Sequence, residues 1–155
     1  MSHATDSALV VEHEIRIEAP RDRVFRLLSD QAEMARWMPV SLFEPHVGGR
    51  FEMVAGEWVA FGEVTQLDPP RRLAYTWDWQ NQPLGTRTEV TFDLEADGQA
   101  TILRLRHAGF TSPEQAASHT TGWTHYEERL SAVAEGRDPG PDAMAGEGEA
   151  GEDRG

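Results

Sequence analysis

Three histidines stand where an apolar side chain is expected. His13 falls on a strand stripe with Leu9, Val11, Ile15 and Ile17. His107 follows Thr101, Leu103 and Leu105, and His119 opens a helical stripe that continues through Trp123, Tyr126, Leu130 and Val133. Glu127 lies at the edge of that stripe, beside Trp123 and Leu130. An ionisable group on a buried face must be paired or neutral. Such groups either move protons as general acids and bases or serve as a polar handle in an otherwise apolar pocket. The plainer reading of each histidine is a core imidazole bonded to backbone or to Tyr75. For Glu127 it is a stem along the helix flank with its head in water.

Other chemistries are closed off by composition. All 14 basic residues are arginine, and the 155 residues include no cysteine. Without lysine there is no Schiff base and no Walker-type phosphate loop. Without cysteine there is no thiol nucleophile, thiolate metal site, iron–sulfur cluster or disulfide. The six histidines show no ligand spacing on one element, so neither a metal nor any other cofactor is expected. HExxH, GxSxG and a strand-linked GxGxxG are all absent. No motif assigns a reaction. The formal charge of −13 argues against nucleic acid as a partner. No apolar run is long enough for a membrane span, and residues 1–7 carry no signal core, so the expected location is cytoplasmic.

The elements that must position these side chains follow from periodicity. Alternation predicts a first strand, which Ala19-Pro20 ends. A helix follows over residues 21–29. A second short helix is capped by Asp30, carries Met34, Trp37 and Met38 on one face, and stops at Pro39. Residues 40–49 read as a loop through Pro45 and Gly48-Gly49. Strands then follow around Phe51 and Met53, over 58–67, and along Leu73, Tyr75, Trp77 and Trp79. The 58–67 strand leaves its parity open, with Trp58, Ala60, Gly62 and Val64 on one face and Val59, Phe61 and Glu63 on the other. Two more strands pair across Asp97-Gly98, and a final helix runs from Ser112-Pro113 to Gly136. The sum is an α+β layer: an antiparallel meander with one long helix over its apolar face. Residues 136–155, with six glycines and six acids, are expected to form a disordered tail. The folded unit is then 8–135, preceded by a disordered 1–7.

The inward faces are rich in large rings. Tyr75, Trp77 and Trp79 come from one strand, Trp123 and Tyr126 from the last helix, and Trp37 from the second. Met53 and Leu105 complete the apolar set. Such stripes mean core more often than cavity, but a curved sheet gripping a helix has room for either.

The order of several short pieces is similar to a known family. Ile15-Arg16-Ile17-Glu18-Ala19-Pro20 leads into Arg23-Val24-Phe25, and Arg36-Trp37 precedes Gly48-Gly49-Arg50-Phe51. Asp68-Pro69-Pro70-Arg71-Arg72-Leu73 runs into Tyr75-Thr76-Trp77. Leu105, His107 and Gly109-Phe110 precede His119, Gly122-Trp123 and Leu130. Over residues 8–135 this resembles the activator-of-heat-shock-protein-ATPase homology family of the START-like (SRPBCC) superfamily. The resemblance implies a helix-grip fold, a curved antiparallel sheet around a long C-terminal helix, often with an apolar cavity between them. Two departures stand out. Glu127 replaces an apolar residue of many relatives, and the resemblance over residues 8–135 leaves the additional domain of a full cochaperone activator unexpected here.

The reading that follows is non-catalytic binding of a small apolar or aromatic molecule between sheet and helix. The candidate lining is His13, Trp37, Met53, Tyr75, Trp77, Trp79, Leu105, His107, His119, Trp123, Tyr126 and Glu127. Two alternatives stay open: a polyketide cyclase or dehydratase moving protons with His107, His13 or Glu127, and a module docking on a chaperone through its acidic outer face. A homodimer is also left open.

Overall fold

The computed structural model describes residues 9–144. Seven antiparallel strands form one sheet in the order β1-β7-β6-β5-β4-β3-β2. They are β1 (Val10–Ile17), β2 (Val40–Phe43), β3 (Arg50–Ala55), β4 (Trp58–Asp68), β5 (Arg72–Trp79), β6 (Thr88–Asp97) and β7 (Ala100–Ala108). Helices α1 (Arg21–Ser29) and α2 (Gln31–Met34) connect β1 to β2, and α3 (Pro113–Ala134) follows β7. This is the helix-grip arrangement: β1 pairs with β7, Ile17 standing opposite Thr101 although most of the sheet lies between them in sequence, and α3 lies on the face the curved sheet encloses.

Local chemistry sets the helices. Pro20 occupies the residue before α1, whose Val24, Phe25, Leu27 and Leu28 are buried. Asp30 caps α2 by accepting from the Glu33 N–H at 3.1 Å. Ser112 caps α3 by accepting from Gln115 N–H at 3.2 Å, with Pro113 behind it in the first turn. The expected faces are present: Val11 and Ile17 on β1, Leu73, Tyr75 and Trp77 on β5, and Val90, Phe92 and Leu94 on β6 are buried. Leu103, Leu105 and His107 on β7 and Trp123, Tyr126, Leu130 and Val133 on α3 join them.

Three details differ from expectation. Residues 40–43 form a strand rather than a loop, because Val40 and Phe43 extend the sheet beyond β3. Helix α2 ends at Met34, and Trp37 and Met38 follow in a turn that still buries both. In β4 the register shifts between Val64 and Gln66, so neither parity holds along its full length.

Gly62 is the close approach that curves the sheet there. A Cβ at this position would lie 1.8 Å from the Thr76 carbonyl oxygen, so only glycine lets β4 lie this near β5. With Ala60 and Gly62 offering almost no side chain, rings from β3 and β5 meet across β4. Phe51 and Trp77 stack with centroids 5.4 Å apart and planes at 29°.

The outer face carries ion pairs across the strands. Arg104 reaches Glu14 at 3.0 Å and Glu95 at 2.9 Å, Arg106 reaches Glu12 at 3.3 Å, and Arg72 clasps Asp93. The tail expectation covers 136–155, of which 136–144 are described. Arg129 donates to the carbonyls of Trp37 (3.0 Å) and Gly140 (2.8 Å), and buried Asp142 pairs with His125 at 2.7 Å. Those contacts lay the segment along α3. The expected N-terminal tail, 1–7, lies outside the described residues.

Candidate functional site

A cavity of about 470 Å³ opens between the β3–β5 end of the sheet and the first half of α3. That volume is within the ~300–1,000 Å³ usual for small-molecule sites. Its sheet wall is Met53 and Ala55 from β3, Trp58 from β4, and Trp77 and Trp79 from β5, with Met38 from the turn after α2. Its helix wall is Gln115, Ser118, His119, Gly122, Trp123 and Tyr126. Gln82, Pro83 and Leu84 of the β5–β6 connection and Met144 form the rim. The rim is tied down: Leu84 N–H donates to Asp78 Oδ1 at 2.8 Å, and Gln115 Nε2 donates to the Leu84 carbonyl at 3.3 Å.

Trp77 is the hub of the aromatic cluster. Besides Phe51, its ring meets Trp79 at 5.5 Å, Trp123 at 5.4 Å and His107 at 5.6 Å. Gly109, at φ +108°, turns the chain after β7 where a Cβ would be 2.5 Å from the Arg87 carbonyl oxygen. The turn lays Phe110 against His107 (4.5 Å) and His119 (4.7 Å).

Both of those imidazoles are fully committed. Thr88 Oγ1 donates to the Trp77 carbonyl at 2.5 Å, so His107 Nε2–H donates to Thr88 Oγ1 at 2.9 Å, and His107 Nδ1 accepts from Trp123 Nε1–H at 3.0 Å. His119 Nδ1–H donates to the Gln115 carbonyl at 2.7 Å, and its Nε2 accepts from Trp79 Nε1–H at 2.9 Å. Each ring is therefore a neutral tautomer with one donor and one acceptor in use. Burial pushes His107 well below the usual histidine range, with nearby His119 adding to the effect. Burial also pushes His119 down, against the pull of its bond to Gln115.

His13 and Glu127 stand apart from this cavity and pair with each other. His13 Nδ1 is 3.0 Å from both carboxylate oxygens. Burial raises the Glu127 carboxyl above its usual range, and the bond from His13 draws it partly back.

Of the twelve candidates, Met53, Trp77, Trp79, His119, Trp123 and Tyr126 line the cavity. His107 stands just behind them. Trp37, Tyr75 and Leu105 are outside the lining, each at most 2% exposed and packed in the core, with Trp37 Nε1 donating to the Leu27 carbonyl at 2.7 Å. Gln82, Pro83, Leu84, Gln115 and Met144 come to the site through loops and a helix end, and nothing in the sequence pattern marked them. Gly122 did carry a signal: three residues after His119 and four before Tyr126, it puts a side-chain-free position on the inner face of α3. Among the described residues no cluster of three or more His, Asp or Glu could hold a metal, and no helix is long and apolar enough to cross a membrane.

A protein-family model described as Activator of Hsp90 ATPase homolog 1-like protein matches residues 18–135. Among solved structures, protein MLL2253 from Mesorhizobium loti is 29% identical, with 79% of this chain and 93% of that one covered and a TM-score of 0.72. CalU16 from Micromonospora echinospora is 28% identical over 93% of this chain and 84% of that one, TM-score 0.68. The Aha1 dimer from Colwellia psychrerythraea shares the fold at 23% identity, over 81% and 96% of the two chains, TM-score 0.68. A search of curated proteins gives no match.

Proposed function

The chain belongs to the family of Activator of Hsp90 ATPase homolog 1-like proteins through residues 18–135, and from that premise we propose that it binds a small, flat, apolar molecule in the cavity between sheet and α3 without transforming it. One observation carries this reading: a cavity of about 470 Å³ walled by tryptophan and methionine, whose two neighbouring imidazoles have every ring nitrogen already bonded. Indole and thioether walls favour flat apolar surface by burial and by offset or edge stacking. Proton transfer by His107 or His119 would first require breaking the bonds that hold Trp79, Trp123 and Thr88 in place. The other acid–base pair, His13 with Glu127, is outside the lining. The acidic outer face offers less to a basic partner than composition suggests, because its glutamates and aspartates are interleaved with paired arginines.

The test is a thermal-unfolding screen of the full chain against fatty acids, sterols, flavonoids and aromatic polyketides. A ligand at 100 times its dissociation constant adds about 2.7 kcal/mol, which raises the midpoint by roughly 5–11 °C for a domain of this size. A shift of that size confined to flat aromatic compounds supports the reading. Equal shifts with flexible fatty acids, or none with any class, would sink it.

A further inference from the structure

The walls of the cavity are not held with equal strength. Backbone ladders between β3, β4 and β5 fix the sheet wall, and α3 is the helix wall. On the rim, the β5–β6 connection is bonded to both Asp78 and Gln115. Met144 is held differently. It lines the cavity and is 42% exposed. From Asp138 to Met144 no backbone group bonds another backbone group among the described residues.

Side chains of α3 hold this segment instead. Arg129 donates to the carbonyls of Pro139 (3.4 Å) and Gly140 (2.8 Å), and its Nε donates to the Trp37 carbonyl, next to Met38 of the lining. One turn earlier, His125 Nε2–H donates to Asp142 Oδ1 at 2.7 Å, and the same oxygen accepts the Met144 N–H at 2.9 Å. Asp142 is 5% exposed and is the only buried residue between 136 and 144. A carboxylate is costly to bury without partners, and the two bonds on this one tie Met144 to α3 at the cavity mouth. The unbranched thioether can settle against ligands of different outline. Breaking these few bonds would free Met144 and leave every strand and helix intact, a local opening of small cost.

Resting on the cavity reading above, we propose that residues 138–144 are a gate on that cavity: the bond from His125 to Asp142 holds Met144 at the mouth, and a ligand enters or leaves when that bond breaks. His125 and Asp142 are then positioning residues, and Met144 is the group that meets the ligand.

The probe is pyrene, which is flat, uncharged and able to accept energy from tryptophan. Stopped-flow mixing with the full chain reads its association and dissociation rates from energy transfer out of the wall indoles. In Asp142→Ala both rates are expected to rise roughly tenfold, as for one hydrogen bond lost from the closed state, with the dissociation constant changing far less. Met144→Ala, which keeps the clasp and shortens the gate, should also raise both rates. In chains carrying ¹³C-methyl methionine, pyrene should displace the Met144 signal, and Asp142→Ala should move it toward its unfolded-chain position without pyrene. Faster dissociation with unchanged association would make Met144 a wall and overturn the gate. So would unchanged rates in Asp142→Ala, or a wild-type Met144 signal already at its unfolded-chain position. Each of those results leaves the cavity reading standing. If pyrene does not bind the wild-type chain, the cavity reading falls and takes the proposal with it.

Discussion

Two regions of the same sheet–helix interface treat histidine in opposite ways. On the cavity side, His107 and His119 sit among rings, neutral, each clamped between an indole N–H and an oxygen acceptor. On the β1 side, His13 faces the Glu127 carboxylate across the same helix, one side chain about a fifth exposed and the other nearly buried. The difference teaches that the residue type does not fix the role. Neutral partners turn an imidazole into a rigid spacer that aims tryptophans, and a carboxylate turns it into the hydrogen-bond partner of a buried acid.

The largest break in that comparison is His107→Leu. It strands the Trp123 N–H and removes the proton donated to Thr88 Oγ1, which keeps only the bond it donates to the Trp77 carbonyl. The expected loss is about 3 kcal/mol, read from the urea midpoint. A loss under about 1 kcal/mol would mean the clamp is dispensable. His13→Ala should cost less, about 2 kcal/mol, because the abandoned Glu127 can be approached by solvent through the space His13 vacates. Adding Glu127→Gln to His13→Ala should recover part of that loss, since the glutamine carries no charge. No recovery in the double variant would show that the pair acts through packing alone.

Acidity separates the two regions by sign. His107 and His119 are held below their unfolded range, so the folded state binds fewer protons. Their contribution is intact above about pH 6.5 and is lost as pH falls through that value toward their lowered folded ones. Glu127 is held above its unfolded range, so its contribution is intact below about 4.5 and is lost as pH rises through its folded value. Denaturation midpoints measured between pH 7 and 5 should therefore fall on acidification, by about 1.4 kcal/mol per unit for each histidine proton taken up on unfolding. The fall should be shallower in His107→Leu. An unchanged slope in that variant would contradict the assignment.

The sequence made the broad frame legible because strict alternation survives on β1, β5, β6 and β7, and a three-and-four spacing survives on α3. It failed where those periods break. A strand of four residues between Pro39 and Pro45 is too short to show alternation, which hid β2. The register shift at Val64/Gln66 moves side chains between faces within β4, so no single parity could be assigned. Within the site, the aromatic lining was legible because a large ring on an inward stripe has few other places to go. The partners of the histidines were not. Trp79 and His119 are 40 residues apart and His13 and Glu127 are 114 apart, and tertiary closure alone brings them together. Gly122, a gap on the inner face of α3, was passed over in the stripe, and whether its space is filled depends on the curvature that Gly62 permits.

That gap supplies the most direct test of the central claim. A Cβ at Gly122 meets nothing within 4 Å, and the residue lines the cavity from mid-helix. Gly122→Leu should fill the cavity from the α3 side while gaining up to about 1 kcal/mol of helix propensity. The measurement is calorimetric titration of wild-type and Gly122→Leu chains with the strongest aromatic hit of the thermal screen. The account predicts a chain at least as stable as wild type that no longer binds. Undiminished binding in a folded Gly122→Leu chain would contradict it, because the molecule would then be held somewhere other than between the sheet and α3.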